Sequence, residues 1–311
     1  MTNAAVCLMG PTASGKTDIA VRLCKRFPFE IISVDSALVY RHMNIGTAKP
    51  DADMLKRAPH RLIDIRDPEE PYSAGNFARD ASAAIADIHA AGRVPLLAGG
   101  TMMYFRALTR GIAKLPSADP SIRAEIDADA RKHGWPAMHA KLCEVDPASA
   151  ERINKNDSQR IQRALEVYRL SGKSLSDWHV AARSEQPSVA VRYTKIALIP
   201  EDRAMLHERI EQRLNMMINN GFVDEVKALY ARPGLNPDAP SMRSVGYRQF
   251  WDHVNGQLSL SDARYRALVA TRQLAKRQLT WLRSESAIFS VDPLEDDALS
   301  AISAHLAEHV F

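Results

Sequence analysis

The sequence predicts an α/β fold: a parallel sheet with helices on both faces, interrupted by an all-helical insertion. Three observations lead there. Short apolar runs alternate with amphipathic helical stretches over the first 115 residues. A glycine-rich loop joins the first run to the first helix. Residues 117–178 show helical periodicity alone. Strand–helix–strand alternation of this kind argues parallel strands with covering helices.

Each element has its own signal. Val6 to Met9 is unbroken apolar sequence ahead of a glycine loop, the mark of a buried parallel strand. A helix should follow from Lys16 to about Phe27, stopped by Pro28. Glu30 to Val34 is a second strand. Ser73 is placed to cap a helix with Phe77, Ala81, Ala84, Ile85 and Ile88 on one face, and Gly92 ends it. Val94 to Ala98 is a third strand, closed by Gly99 and Gly100, and Thr101 can cap the next helix. The pattern changes at Leu115-Pro116. Beyond it, Ile122, Ile126 and Ala130 form one helical stripe and Ile161, Leu165 and Tyr168 another, as far as the polar stretch Arg183 to Pro187. The expected organisation is 1–115, the first part of the core; 116–189, a helical insertion; and 190–311, the second part of the core with C-terminal helices. In the last part Tyr193 to Ile199 is a strand. The helix after Pro200 carries Leu206, Ile210, Leu214 and Met217 and stops at Gly221. Residues 231–246, rich in Pro, Gly and Ser, form a long loop, and loops of that length are often functional. A final strong helix runs from about Asp262 to Arg283.

Composition narrows the class. With 46% apolar and 25% charged residues the chain is not disordered. No apolar run approaches the roughly 18 to 20 residues of a membrane span. Met1 to Gly10 lacks the basic start of a secretory leader, so a cytoplasmic location and no membrane partner are expected. Cys7, Cys24 and Cys143 have no metal-ligand spacing and suit a reducing compartment. The net charge of +4 is unevenly spread. Residues 1–154 hold 20 basic and 18 acidic side chains, residues 155–283 hold 21 and 13, and residues 284–311 hold six acids and no Lys or Arg. The basic excess of the middle segment suits a polyanion such as nucleic acid, and it suits a solvated helix face equally.

The clearest chemistry lies in Gly10, Pro11, Thr12, Ala13, Ser14, Gly15, Lys16 and Thr17, which match G-x-x-x-x-G-K-[ST] between a strand and a helix. This is the P-loop of an NTPase-like core. Its glycines let backbone amides gather into an anion nest, and the helix N-terminus adds positive potential. Lys16 neutralises phosphate oxygens, and the Thr17 hydroxyl can ligate Mg²⁺. The loop implies a phosphate or diphosphate and does not say what is attached to it. Asp35 ends the second strand, where parallel sheets line their ligand crevice. It reads as a general base or metal contact, or as a turn aspartate. The third strand ends in Ala98, Gly99 and Gly100 without a Walker-B carboxylate, which counts against an ordinary ATPase. Thr101 can reach the same crevice or simply cap its helix. Gln159, Arg160 and Arg163 cluster on the insertion. Gln273, Arg277 and Thr280 share a polar stripe apart from the apolar Leu268, Ala275, Leu279 and Leu282. Both groups suit a nucleic-acid backbone or plain solvent. His305 and His309 have no further ligand around them and read as tail surface.

Taken together, the P-loop, Ser33-Val-Asp-Ser-Ala-Leu-Val-Tyr40, Asn44-Ile-Gly-Thr-Ala-Lys-Pro50, His60-Arg-Leu-Ile-Asp-Ile65, Tyr72-Ser-Ala-Gly-Asn-Phe77, Gly99-Gly-Thr-Met-Met-Tyr104, Asn156-Asp-Ser-Gln-Arg-Ile-Gln-Arg163 and Val245-Gly-Tyr-Arg-Gln249 closely resemble the bacterial tRNA dimethylallyltransferases. The resemblance covers roughly residues 5 to 283, and in combination its motifs are highly specific. It implies transfer of a dimethylallyl group from dimethylallyl diphosphate to N6 of the adenosine just 3′ of the anticodon, with diphosphate leaving. The implied partners are tRNA and dimethylallyl diphosphate, the cofactor is Mg²⁺, and a monomer is expected. Asp35 takes the place of the catalytic aspartate, with Lys16 and Thr17 on the diphosphate. The target RNA would meet Asp35, Ser36, Ala37 and Leu38, then Thr101 and Arg123. Further contacts fall on Gln159, Arg160, Ile161, Gln162 and Arg163, on Pro240, Ser241, Met242, Arg243, Ser244 and Val245, and on Gln273, Arg277 and Thr280. Eukaryotic members add a C-terminal zinc-finger region that this sequence lacks, which favours a compact bacterial-type enzyme. A kinase would need γ-phosphate machinery and an Arg-rich lid that the sequence does not offer. Intact Lys16, Thr17 and Asp35 speak against an RNA-binding protein with a vestigial P-loop.

Overall fold

The computed structural model describes residues 3–184 and 191–311. The chain divides into two compact units, one of Met1–Thr109 with Ala190–Phe311, the other Arg110–Val189. The first division falls ahead of the Leu115-Pro116 change in the sequence. The second expected boundary, at 189, and the end of the Arg183 to Pro187 stretch lie outside the described residues.

The first unit begins with β1 (Ala4–Met9), α1 (Lys16–Cys24), β2 (Phe29–Val34), α2 (Ala52–Arg57), β3 (His60–Arg61), α3 (Ala74–Ala90), β4 (Val94–Gly99) and α4 (Met102–Arg110). The second holds α5 (Pro120–His133), α6 (Trp135–Val145), α7 (Pro147–Arg152), α8 (Ser158–Ser171) and α9 (Leu175–Ser184). The chain returns to the first unit with β5 (Arg192–Leu198), α10 (Arg203–Asn219), α11 (Phe222–Tyr230), α12 (Tyr247–Val254), α13 (Leu260–Ser284), β6 (Phe289–Val291) and α14 (Ala298–His309).

The six strands form one all-parallel sheet in the order β3-β2-β4-β1-β5-β6. Alternation along β1 sorts the two cores. Ala5, Cys7 and Met9 face α3, α4 and α10 to α13, while Ala4, Val6 and Leu8 face α1 and α14. A sheet covered on both sides explains why its strands read as continuous apolar runs. α3 buries the five residues its periodicity singled out. Its start is a capping box: the Asn76 amide donates to Ser73 Oγ and the Ser73 amide to the Asn76 side chain, both at 3.1 Å.

Several elements differ from the sequence reading. α1 ends at Cys24 rather than near Phe27, because Lys25 and Arg26 donate back to Arg22 and Leu23 and tighten the last turn. The acidic tail is not mere surface. Leu299, Ile302 and Leu306 of α14 join the α1 core, and His305 stacks between Phe289 at 4.1 Å and His309 at 4.2 Å. β3 and β6 have only two and three residues, too few for any period to show.

The regular elements among the described residues of the second unit are all helices, packed around Ile126, Ala130, Met138, Leu142, Ile161 and Leu165. Among the described residues no helix is long and apolar enough to cross a membrane.

Candidate active site

β1, β4 and β2 are neighbours, and their register sets Met9, Gly99 and Val34 at one level. The chain leaves that level through three loops: Gly10 into the P-loop, Gly100 and Thr101 into α4, and Asp35 after β2. Strands lie about 4.8 Å apart, so the P-loop and Asp35 flank the end of β4 roughly 10 Å from each other. Packing here is tight, and against the backbone at Gly99 it requires glycine. A Cβ on Gly99 would come within 2.0 Å of the Val34 carbonyl, and one on Gly100 within 2.5 Å of Gln278 Nε2.

In the P-loop, Ala13 and Gly15 take positive φ of 63° and 84°, the left-handed turns found in anion nests. The amides of Ala13, Gly15, Lys16 and Thr17 have no acceptor among the described residues. Thr12 departs from the expected nest, because its amide donates to Gln278 Oε1 at 2.9 Å. Lys16 folds back on its own loop, donating to the Pro11 carbonyl and lying 3.5 Å from Ser14 Oγ. Burial pushes its ammonium down to about 7, the nearby Arg213 guanidinium adds to this, and Asp35 opposes it.

Two arginines of α10 complete the cradle, and neither was apparent from the sequence. Arg209 Nε braces the left-handed turn through the Ala13 carbonyl at 3.0 Å. Arg213 donates to the Thr47 carbonyl at 3.2 Å, and burial holds its guanidinium below the usual range, with Asp35 opposing. Their only sequence signal was a polar side on an amphipathic helix.

Asp35 takes the turn role of those left open for it. Its Oδ1 accepts the Ala37 and Leu38 amides at 2.8 and 3.3 Å, which makes it a turn residue. Its Oδ2 has no hydrogen-bond partner among the described residues. Thr101 resolves differently. Its Oγ1 accepts the Ser36 amide at 3.0 Å and lies 3.4 Å from Ser36 Oγ, so the hydroxyl ties β4 to β2 across the site instead of capping α4. Among the described residues no three His, Cys, Asp or Glu side chains cluster to hold a metal ion. The Thr17 hydroxyl is exposed at the head of α1, beside the open amides of the loop.

The remaining sequence candidates separate by burial. Gln273, Arg277 and Thr280 form an exposed stripe on α13. In the long loop, Pro240 and Arg243 are exposed, and Ser244 and Val245 are half-buried. Ser241 and Met242 are fully buried, Ser241 donating to the Pro68 carbonyl at 2.6 Å, so these two anchor the loop and do not present side chains to RNA. In the helical unit Gln159 and Arg160 are exposed, while Gln162 donates to Asp127 at 2.6 Å. Ile161 is fully buried in that unit's core and offers no surface contact. Arg123 and Arg163 are not free cations either. Both grip the fully buried Glu166, Arg123 through Nε at 2.8 Å and Nη2 at 3.1 Å and Arg163 through Nη1 at 2.5 Å.

Burial pulls the Glu166 carboxyl up, and hydrogen bonds from Arg123, Arg163 and the Asp119 amide outweigh it, leaving it below the ordinary glutamate range. A depressed carboxylate stabilises the fold above its unfolded value and loses that contribution as pH falls through its folded one. Glu166→Gln is therefore expected to cost about 1.5 to 3 kcal/mol at neutral pH, and the deficit should shrink in acid. Chemical denaturation at pH 7 and pH 3.5 checks this, and an equal loss at both would assign the effect to packing.

Comparison with known proteins now decides the family. A model described as IPP transferase matches residues 38–285. The chain belongs to the IPP transferase family. It is 56% identical over 309 residues to the tRNA dimethylallyltransferase of Thioalkalivibrio sulfidiphilus (strain HL-EbGR7), covering 98% of this chain and 96% of the relative. The tRNA dimethylallyltransferase of Burkholderia ambifaria (strain MC40-6) is 55% identical, with 94% and 90% covered. Among solved structures, the full-length tRNA isopentenylpyrophosphate transferase of Bacillus halodurans superimposes with a TM-score of 0.71 at 35% identity, covering 99% of this chain and 96% of that one. The family agrees with the resemblance read from the motifs between the P-loop and Gln249, and among these lie the P-loop, Asp35 and Gly99-Gly100-Thr101. This IPP transferase family member keeps all of those residues at one end of its sheet.

Proposed function

We propose that this chain transfers a dimethylallyl group from dimethylallyl diphosphate to N6 of the adenosine 3′ of the anticodon in tRNA. The observation that carries the reading is the pairing of an anion cradle with an acceptor pair. Open amides and Lys16 lie on one side of the β4 end and Asp35 on the other, with Thr101 at the β4 end itself bonded to Ser36, and Arg213 is coupled to both Lys16 and Asp35. The allylic C–O bond breaks, its electron pair leaves with diphosphate, and an N6–C bond forms. The P-loop amides and Lys16 stabilise charge that grows on the leaving group. Thr17 would hold a Mg²⁺ ion, which would supply further charge neutralisation for the leaving group. Asp35 Oδ2 accepts the N6 proton, and the Thr101 hydroxyl orients the base. An exocyclic amine conjugated with a purine is a poor nucleophile, so this orientation matters. The adenine must leave its stack to reach the site.

The test is incubation of the protein with Mg²⁺, labelled dimethylallyl diphosphate and an anticodon stem-loop, followed by nucleoside analysis. Label on the N6 of that adenosine supports the reading. Label absent from the RNA, or phosphate moving from ATP to a small molecule, overturns it in favour of a kinase.

The exposed stripe of α13 gives a separate expectation. Arg277→Ala should weaken stem-loop binding for all sequences alike and shallow the salt dependence by about one phosphate contact. Titrations from low to moderate salt check this. A slope equal to the wild type's would make Arg277 a solvated side chain.

A further inference from the structure

α13 is a long basic helix with an exposed polar stripe, yet one of its polar residues points the other way. Gln278 is buried. Its Oε1 accepts the Thr12 amide at 2.9 Å, and its Nε2 donates to the Gly100 carbonyl at 2.8 Å. The amide orientation is fixed by chemistry, because an N–H needs the oxygen and a carbonyl needs the NH₂. One side chain therefore joins the loop that cradles the anion to the strand end that carries Thr101. Thr101 in turn holds Ser36, the residue next to Asp35. The absence of a Cβ at Gly100 is what lets Gln278 approach.

We infer that Gln278 is a positioning residue for the transfer reaction, a clamp that sets the distance between the diphosphate cradle and the Asp35–Thr101 pair. This rests on the function proposed above. The P-loop spends one of its amides on the clamp rather than on the anion. Loss of the clamp leaves the amides of Ala13, Gly15, Lys16 and Thr17 available, so anion affinity should hold. What suffers is the alignment of the allylic carbon with N6, and misplacement by about 1 Å costs up to roughly 10²-fold in rate.

Two variants and two measurements test it. Gln278→Leu keeps size and removes both hydrogen bonds. Its kcat should fall about 10- to 100-fold, with the inhibition constant of inorganic diphosphate near the wild-type value. Amide hydrogen exchange at Thr12, measured without substrate, should become faster in the folded variant. Gln278→Glu can still accept from Thr12, but when ionised it confronts the Gly100 carbonyl. Its protonated form restores the donor, and burial raises the pH at which it protonates. Its activity relative to wild type should therefore rise as pH falls, a profile that simple loosening of the fold does not give. Unchanged exchange at Thr12 in Gln278→Leu overturns the clamp. Faster exchange with wild-type kcat, or a diphosphate constant that weakens in step with kcat, overturns the positioning role. A wild-type protein that transfers nothing overturns the functional reading instead, and the exchange experiment then judges the clamp by itself.

Discussion

Asp35→Ala should slow transfer by about 10² to 10⁴-fold, the usual cost of removing a general base, while stem-loop affinity stays near the wild-type value. The structure sharpens the experiment, because Asp35 also accepts the Ala37 and Leu38 amides through Oδ1. Alanine removes the turn and the base together. An asparagine at this position would keep an acceptor for both amides and lose only the base. Asp35→Asn should therefore be nearly as slow as Asp35→Ala but closer to wild type in stability. Single-turnover rates beside thermal melts separate the two roles. Near-normal turnover in Asp35→Asn would remove Asp35 from proton transfer and leave it as a turn residue.

Lys16→Ala is the second large effect, expected to reduce transfer by about 10² to 10³-fold through loss of a charge-assisted donor to the leaving group. Its pH signature is more specific. In the free protein burial holds the ammonium down to about 7. A bound diphosphate favours the charged form and raises it again. Below pH 7 the site is already protonated and binding takes up no proton at Lys16. Above pH 7 binding must draw a proton in, so affinity falls with rising pH, by up to about tenfold per unit. Diphosphate titrates over part of the same range, so the comparison is between wild type and Lys16→Met. Calorimetry at pH 8 in buffers of different ionisation enthalpy counts the protons. Equal uptake by the two proteins would show that Lys16 is charged before the anion arrives.

Signals that are local in sequence survive folding well. β1, the P-loop and α1 were legible because a motif and an apolar run sit side by side, and α3 because its cap and five-residue stripe belong to one helix. The site was legible where a residue ends a strand, as Asp35 and Thr101 do. It was not legible where function depends on the direction of one polar side chain. Gln278 lies among the apolar positions of α13, and nothing in its neighbours says that it reaches the P-loop. Arg213 and Arg209 needed the return of the chain through β5 and α10 before they could face the loop. Ser241, Met242 and Ile161 were assigned to RNA because a motif marks a stretch of chain, whereas burial is decided residue by residue. Glu166 read as one more charge on a helix. Only the fold shows that it sits beneath Arg123 and Arg163 and ties both.

The shared level of Met9, Val34 and Gly99 has a consequence for how such a sequence can drift. Every group assigned to chemistry at the ends of β2 and β4 lies within two residues of a strand, so its position is inherited from the sheet and not from the loop that follows. Insertions or deletions among the exposed residues 236–238 should leave the reacting groups where they are. Their cost is chiefly loop closure, about 0.6 kcal/mol for each doubling of length. A single residue inserted between Gly99 and Thr101 would instead move the hydroxyl off its Ser36 partner. Length variation among descendants of this chain should therefore collect in exposed loops away from those strand ends, while the groups at the strand ends keep a fixed frame.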